Sequence, residues 1–114
     1  MNNLYDTANK LAKEIKESAE YNNYKKAREQ VMANSDLREK INSFEKLRYD
    51  MQVLAVEKGE ESPEKKEMLQ KMYTILIENK DIKDYFDLEV QFNVMIADIN
   101  KIIAESMEDI FNIK

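Results

Sequence analysis

The chain has no cysteine and no histidine, and only one glycine and one proline among its 114 residues. Without cysteine there is no disulfide framework, no thiolate nucleophile and no cysteine-held zinc or iron–sulfur cluster. Without histidine the chain loses the commonest metal ligand and the side chain best suited to shuttling protons near neutrality. Gly59 and Pro63 leave few sites for the tight turns that a many-stranded sheet or barrel requires. One glycine cannot build a phosphate-cradling loop, and no serine lies in a nucleophile elbow. Together these absences argue against an enzyme and leave no catalytic, cofactor-binding or metal-binding motif, with carboxylates alone as the remaining route to a hydrolase or metal enzyme.

Long apolar runs are also missing. None exceeds about four residues, against the ~20 that a membrane span needs. The start, Met1-Asn-Asn-Leu-Tyr-Asp, has neither the basic stretch nor the apolar core of a signal peptide. A cytoplasmic protein without membrane association is expected.

What the chain does have is 43% apolar and 36% charged residues, enough for a core and for a polar surface. A single domain over residues 1–114 is expected from that length. The net charge of −5 is uneven: residues 1–58 carry 11 basic and 10 acidic side chains, and 59–114 carry 7 and 13. The acidic half would repel phosphate backbones, so direct nucleic-acid binding is disfavoured. Lys25, Lys26 and Arg28 beside Tyr21 and Tyr24 leave open a weak RNA contact, with a solvated helix face as the plainer reading.

Apolar residues recur at spacings of three and four almost throughout, which predicts helix along the whole chain. Leu4, Ala8, Leu11, Ala12 and Ile15 stripe a first helix over residues 3–17. Ser18 could cap a second carrying Tyr21, Tyr24, Ala27 and Val31, or the two could run on unbroken. Asn34-Ser35-Asp36 suits the start of a third helix, striped by Leu37, Ile41, Phe44, Leu47, Met51, Leu54 and Ala55. Gly59 fits a helix C-terminus that needs positive φ, and Ser62-Pro63-Glu64 fits the next start. The fourth helix should present Met68, Leu69, Met72, Tyr73, Ile75 and Leu76, and a fifth should run from about Lys80 to Phe111.

That last helix places Ile82, Glu89, Ile96, Ile103 and Ile110 at one heptad position and Tyr85, Phe92, Ile99 and Ser106 at the other. At ~1.5–3 kcal/mol per large side chain buried, the dozen or so apolar residues of its face represent roughly 20–35 kcal/mol of gross transfer free energy. Such a face must be covered. About 30 residues at ~1.5 Å each span ~45 Å, longer than a compact chain of this size allows. An all-α, elongated bundle of four to five helices with a long C-terminal helix is therefore expected, paired as a homodimer through that helix. The candidate interface is Phe92, Met95, Ile96, Ile99, Ile102, Ile103 and Met107.

Two polar residues interrupt the stripes. Glu89 lies on the last one and Arg48 between Phe44 and Met51 on the third helix, so the two are a candidate structural ion pair, with a ligand-binding or catalytic carboxylate as the alternative. Asn93 and Asn100 sit seven apart at an edge where they could bond across an interface or simply mark a boundary. The acidic groups around Asp84, Asp87 and Glu89 and around Glu105, Glu108 and Asp109 lack calcium-loop spacing and read as solvated faces. The methionines, Met51, Met68, Met72, Met95 and Met107 among them, either fill gaps in the core or form an adaptable binding groove.

Leu4-Tyr5-Asp6 with Ala8 and Leu11, Ser18 to Tyr21, the Gly59-Glu-Glu-Ser-Pro turn, and Phe92-Asn93 through Asp98-Ile-Asn-Lys-Ile-Ile103 to Glu108-Asp-Ile-Phe111 make a further pattern. Over residues 4–111 the chain resembles the YlbF/YmcA family of bacterial proteins, and most closely its YheA-like branch. The resemblance implies an all-helical, self-associating, non-enzymatic regulator or adaptor that works through a protein partner in a Gram-positive bacterium. Better-studied members are linked to RNase Y-dependent mRNA processing, sporulation, competence and biofilm formation. Iron–sulfur clusters held by cysteines in some members do not carry over to a cysteine-free chain. A self-assembling structural protein and a weak RNA-contacting protein stand as alternatives.

Overall fold

The computed structural model describes residues 3–59 and 61–111, and among them every regular element is a helix. In chain order these are α1 (Leu4–Glu17), α2 (Ala19–Ala33), α3 (Ser35–Lys58), α4 (Pro63–Leu76), α5 (Lys80–Glu105) and α6 (Glu108–Phe111). The chain is thus all-α with a long C-terminal helix, as the 3.6-residue periodicity implied.

Caps fix the boundaries. The Asn3 side chain accepts from the Tyr5 amide and opens α1. Asn34 does the same for α3, accepting from the amides of Asp36 and Leu37. Ser62 accepts from the Lys65 amide, Pro63 takes the first helical position where its missing N–H costs nothing, and Asn79 accepts from the Ile82 amide to start α5. Gly59 closes α3 in the left-handed conformation, at φ 62°.

Among the described residues there are six helices against the four to five expected: a break at Ser18 is one of the two readings of the first segment, and a second serine, Ser106, adds the sixth. Ser18 is extended, with ψ 153°. Its hydroxyl donates to the Ile15 carbonyl at 2.6 Å and accepts from the Tyr21 amide at 3.1 Å, so one side chain ends α1 and caps α2. The expectation that the last helix continues to Phe111 is corrected. At Ser106 and Met107 the backbone turns to bonds three residues back, Ser106 N–H to Ile103 and Met107 N–H to Ala104, while the Ser106 hydroxyl also donates to Ile103. This competition for helical carbonyls stops α5 at Glu105.

The described residues form two compact units, with α2 and α5 each supplying residues to both. The unit of residues 27–85 holds the buried side chains Val31, Leu37, Ile41, Phe44, Leu76, Ile82 and Tyr85. Here α3 and α4 pack as a hairpin, with the Phe44 and Tyr73 rings 6.2 Å apart. The unit of residues 3–26 and 86–111 is tied by the ring of Phe92, which lies 6.1 Å from Tyr21 and 5.5 Å from Tyr24, with Phe86 buried nearby in sequence. The methionines described are half-buried or exposed, not part of either buried set.

Candidate protein interaction site

Burial falls steadily along α5. Ile82, Tyr85 and Phe86 are buried, and Leu88, Glu89, Phe92, Met95, Ile96 and Ile99 are half-buried. Beyond them the same stripe is uncovered: Ile102 is 70% exposed, Ile103 48%, Met107 36%, Ile110 77% and Phe111 63%. The hydrophobic period of α5 is unchanged as far as Ile103, so what changes there is the supply of intrachain neighbours, while Met107, Ile110 and Phe111 lie beyond the end of α5. Of the seven residues expected at an interface, Phe92 is engaged within the chain by Tyr21 and Tyr24, Met95, Ile96 and Ile99 are partly covered, and Ile102, Ile103 and Met107 face solvent. Leu4 and Tyr5, each 81% exposed at the start of α1, add apolar surface in the same unit. Burying a run of large apolar side chains now open to water would lower the free energy, which makes this face the candidate surface for another protein chain.

Polar groups on the inner faces are bonded where they are described. Glu89 accepts a hydrogen bond from the Tyr24 hydroxyl at 3.0 Å. Arg48 lies over the Phe44 ring, 5.5 Å from its centroid. Asn93, Asn100, Asp84 and Asp87 are exposed, and Glu105 pairs with Lys101 at 3.8 Å. No cluster of three or more acidic side chains suited to a metal ion occurs among the described residues. No helix among them is long and apolar enough to cross a membrane.

A network that sequence reasoning did not reach centres on Tyr85. Its hydroxyl donates to Glu45 and accepts from the Arg28 guanidinium, which also pairs with Glu45 at 3.2 Å. Burial alone would pull the guanidinium below its ordinary value, but the hydrogen bond to Glu45 and the attraction of Tyr85 and Glu45 hold it above. The consequence for surface chemistry is direct. Arg28 leaves the expected basic cluster for this network, and Lys25 and Lys26 remain as its exposed cations.

A second feature is a groove of about 780 Å³ between α3 and α4. Phe44, Met51, Leu54, Leu69 and Tyr73 give it an apolar lining, Arg48 and Lys66 add positive charge, and Glu61 lies towards the Gly59 turn. Of the methionines that suggested an adaptable groove, Met51 lines it. The stripes on α3 and α4 were visible in the sequence, but not that they border a cleft.

Comparison with known proteins finds related chains. Residues 4–108 match the family model described as control of competence regulator ComK, YlbF/YmcA. A UPF0342 protein of Caldicellulosiruptor bescii is 35% identical over 108 residues, covering 95% of this chain and 91% of its own. One from Symbiobacterium thermophilum is 33% identical over 105 residues, 92% of this chain and 94% of its own, and one from Clostridium novyi is 33% identical over 109 residues, 96% of each. No solved structure matches significantly.

Proposed function

The chain belongs to the YlbF/YmcA family, and from that premise we propose that it is a non-enzymatic regulatory adaptor that acts in the cytoplasm by binding other protein chains, itself included. The family description points to control of a regulator, an activity carried by contacts between proteins. The observation that carries the reading is the uncovered apolar stripe from Ile102 to Phe111. A two-fold homodimer would bury it against its own copy, with Phe92, Met95, Ile96 and Ile99 supporting it from the half-buried part of the same face. A link to RNA processing or developmental control is part of this proposal and rests on family membership. Direct nucleic-acid contact has no part in it, since Arg28 is engaged by Glu45 and Tyr85.

Affinity purification of the tagged protein from its native bacterium, with and without ribonuclease and beside an Ile102→Asp control, tests the reading. Enrichment of one regulatory or RNA-decay protein that survives ribonuclease and is lost in the control is expected. Recovery of the protein alone would overturn the adaptor reading in favour of a self-assembling structural role.

A further inference from the structure

The groove between α3 and α4 and the segment that follows α5 are chemically complementary. The groove is apolar with Lys66 on one wall and Arg48 on the other, two cations against the single acid Glu61 at the end nearest the Gly59 turn, whereas Glu108-Asp109-Ile110-Phe111 joins two acids to two large apolar side chains. We propose that the groove is the docking site for the Glu108–Phe111 segment of a second copy of this chain, with Ile110 and Phe111 entering between the helices and Glu108 and Asp109 facing Lys66 and Arg48. This rests on the self-association proposed above and assigns it a contact in which each copy completes the other's cleft.

Three observations bear on the choice of occupant. Residues 44–55 of α3 and 63–73 of α4 border the cleft, and 11–12 residues at ~1.5 Å rise make it roughly 17 Å long, room for a short helix. The segment has what such a cleft needs, since Ile110 and Phe111 are among its most exposed side chains and α6 has four residues, too few to be a stable helix without something to pack on. The break at Ser106 and Met107 makes α6 a short element of its own rather than the last turn of α5, so its apolar side chains need not follow the α5 face. Charge reinforces the match: the segment's two acids, Glu108 and Asp109, meet a groove that carries two cations and one acid.

Reversing charge on each side in turn gives a test that also reports whether the contact is between copies. Lys66→Glu sets acid against acid, and Glu108→Lys with Asp109→Lys sets base against base; all three residues are exposed, and far-UV circular dichroism verifies that the fold is kept. Self-association is read by sedimentation at a series of concentrations. Each variant alone should weaken the dimer on the order of tenfold in Kd, a step of about 1.4 kcal/mol. An equimolar mixture of the two should recover wild-type affinity, because each groove then meets a tail of opposite sign. Recovery only when all three changes share one chain, and not on mixing, would mean the segment folds back on its own groove and would overturn the proposal. A wild-type dimer indifferent to every variant would also overturn it while leaving self-association intact. A wild-type chain that stays monomeric would remove both readings.

Discussion

Replacing Tyr85 by Phe isolates one hydroxyl in a fully buried ring. The ring is 0% exposed, and its hydroxyl sits between Arg28 and Glu45, so the change removes the oxygen, keeps the packing and leaves the Arg28–Glu45 ion pair in place. Hydrogen bonds to charged groups contribute about 1.5–3 kcal/mol each, more than neutral ones. The Arg28 and Glu45 side chains are 43% and 27% exposed, so water can rehydrate what the hydroxyl leaves behind, and the loss should lie at the lower end, near ~1.5 kcal/mol. With an unfolding entropy of ~2.1 cal/mol/K per residue, 114 residues give ~0.24 kcal/mol/K, and the melting midpoint should fall by about 6 °C. Tyr85→Ala adds a cavity and should cost ~3–5 kcal/mol. Because the Arg28 pKa is raised on folding, its contribution is complete below the unfolded value and fades only as pH climbs through the folded one, so it should not vary between about pH 6 and 9. Differential scanning calorimetry of the two variants decides the matter. A Tyr85→Phe protein that melts with the wild type, or one as damaged as Tyr85→Ala, would refute the role given to the hydroxyl.

Other outcomes follow from particular features. Gly59→Ala meets no neighbouring atom within 4 Å, so its penalty is backbone strain at φ 62° alone, about 1 kcal/mol in urea unfolding, and Gly59→Asn should cost less. Ile102→Asp should abolish self-association in sedimentation while leaving the circular dichroism spectrum unchanged; a dimer that survives it would exclude that face. The expected Arg48–Glu89 ion pair calls for a double-mutant cycle with Arg48→Met and Glu89→Gln, where a coupling below about 0.5 kcal/mol would dismiss it. A single domain over residues 1–114 predicts one cooperative thermal transition, and two resolved transitions would contradict it.

Most helix boundaries could be read because each is written in residues with one dominant local use. Asn34, Gly59, Ser62 and Pro63 cap, bend or start helices for reasons contained within four neighbours, and each does so. Ser18 and Ser106 are harder, because a serine hydroxyl bonds a helical carbonyl whether the helix continues or stops. The stripe of α5 was legible but its gradient of exposure was not, as periodicity says which side chains share a face and nothing about how far the neighbours reach. The same limit hid the Tyr85 network. A heptad count put Tyr85 in the core, yet Glu45 and Arg28 lie 40 and 57 residues away, and charge patterning grouped Arg28 with its neighbours Lys25 and Lys26 instead. The α3–α4 groove depends on the angle between two helices, which no pattern along either one encodes.

The one-residue joint at Ser18 has an evolutionary consequence. With helix on both sides and a single extended residue between, the connection has no slack in which a gained or lost residue could be absorbed. An indel within α1 would rotate everything before it by about 100° and swing the half-buried Leu11 off its face. Length variation among relatives should therefore gather at the ends of the chain and around the Gly59 turn, and sequence alignments should run through residues 11–24 without a gap.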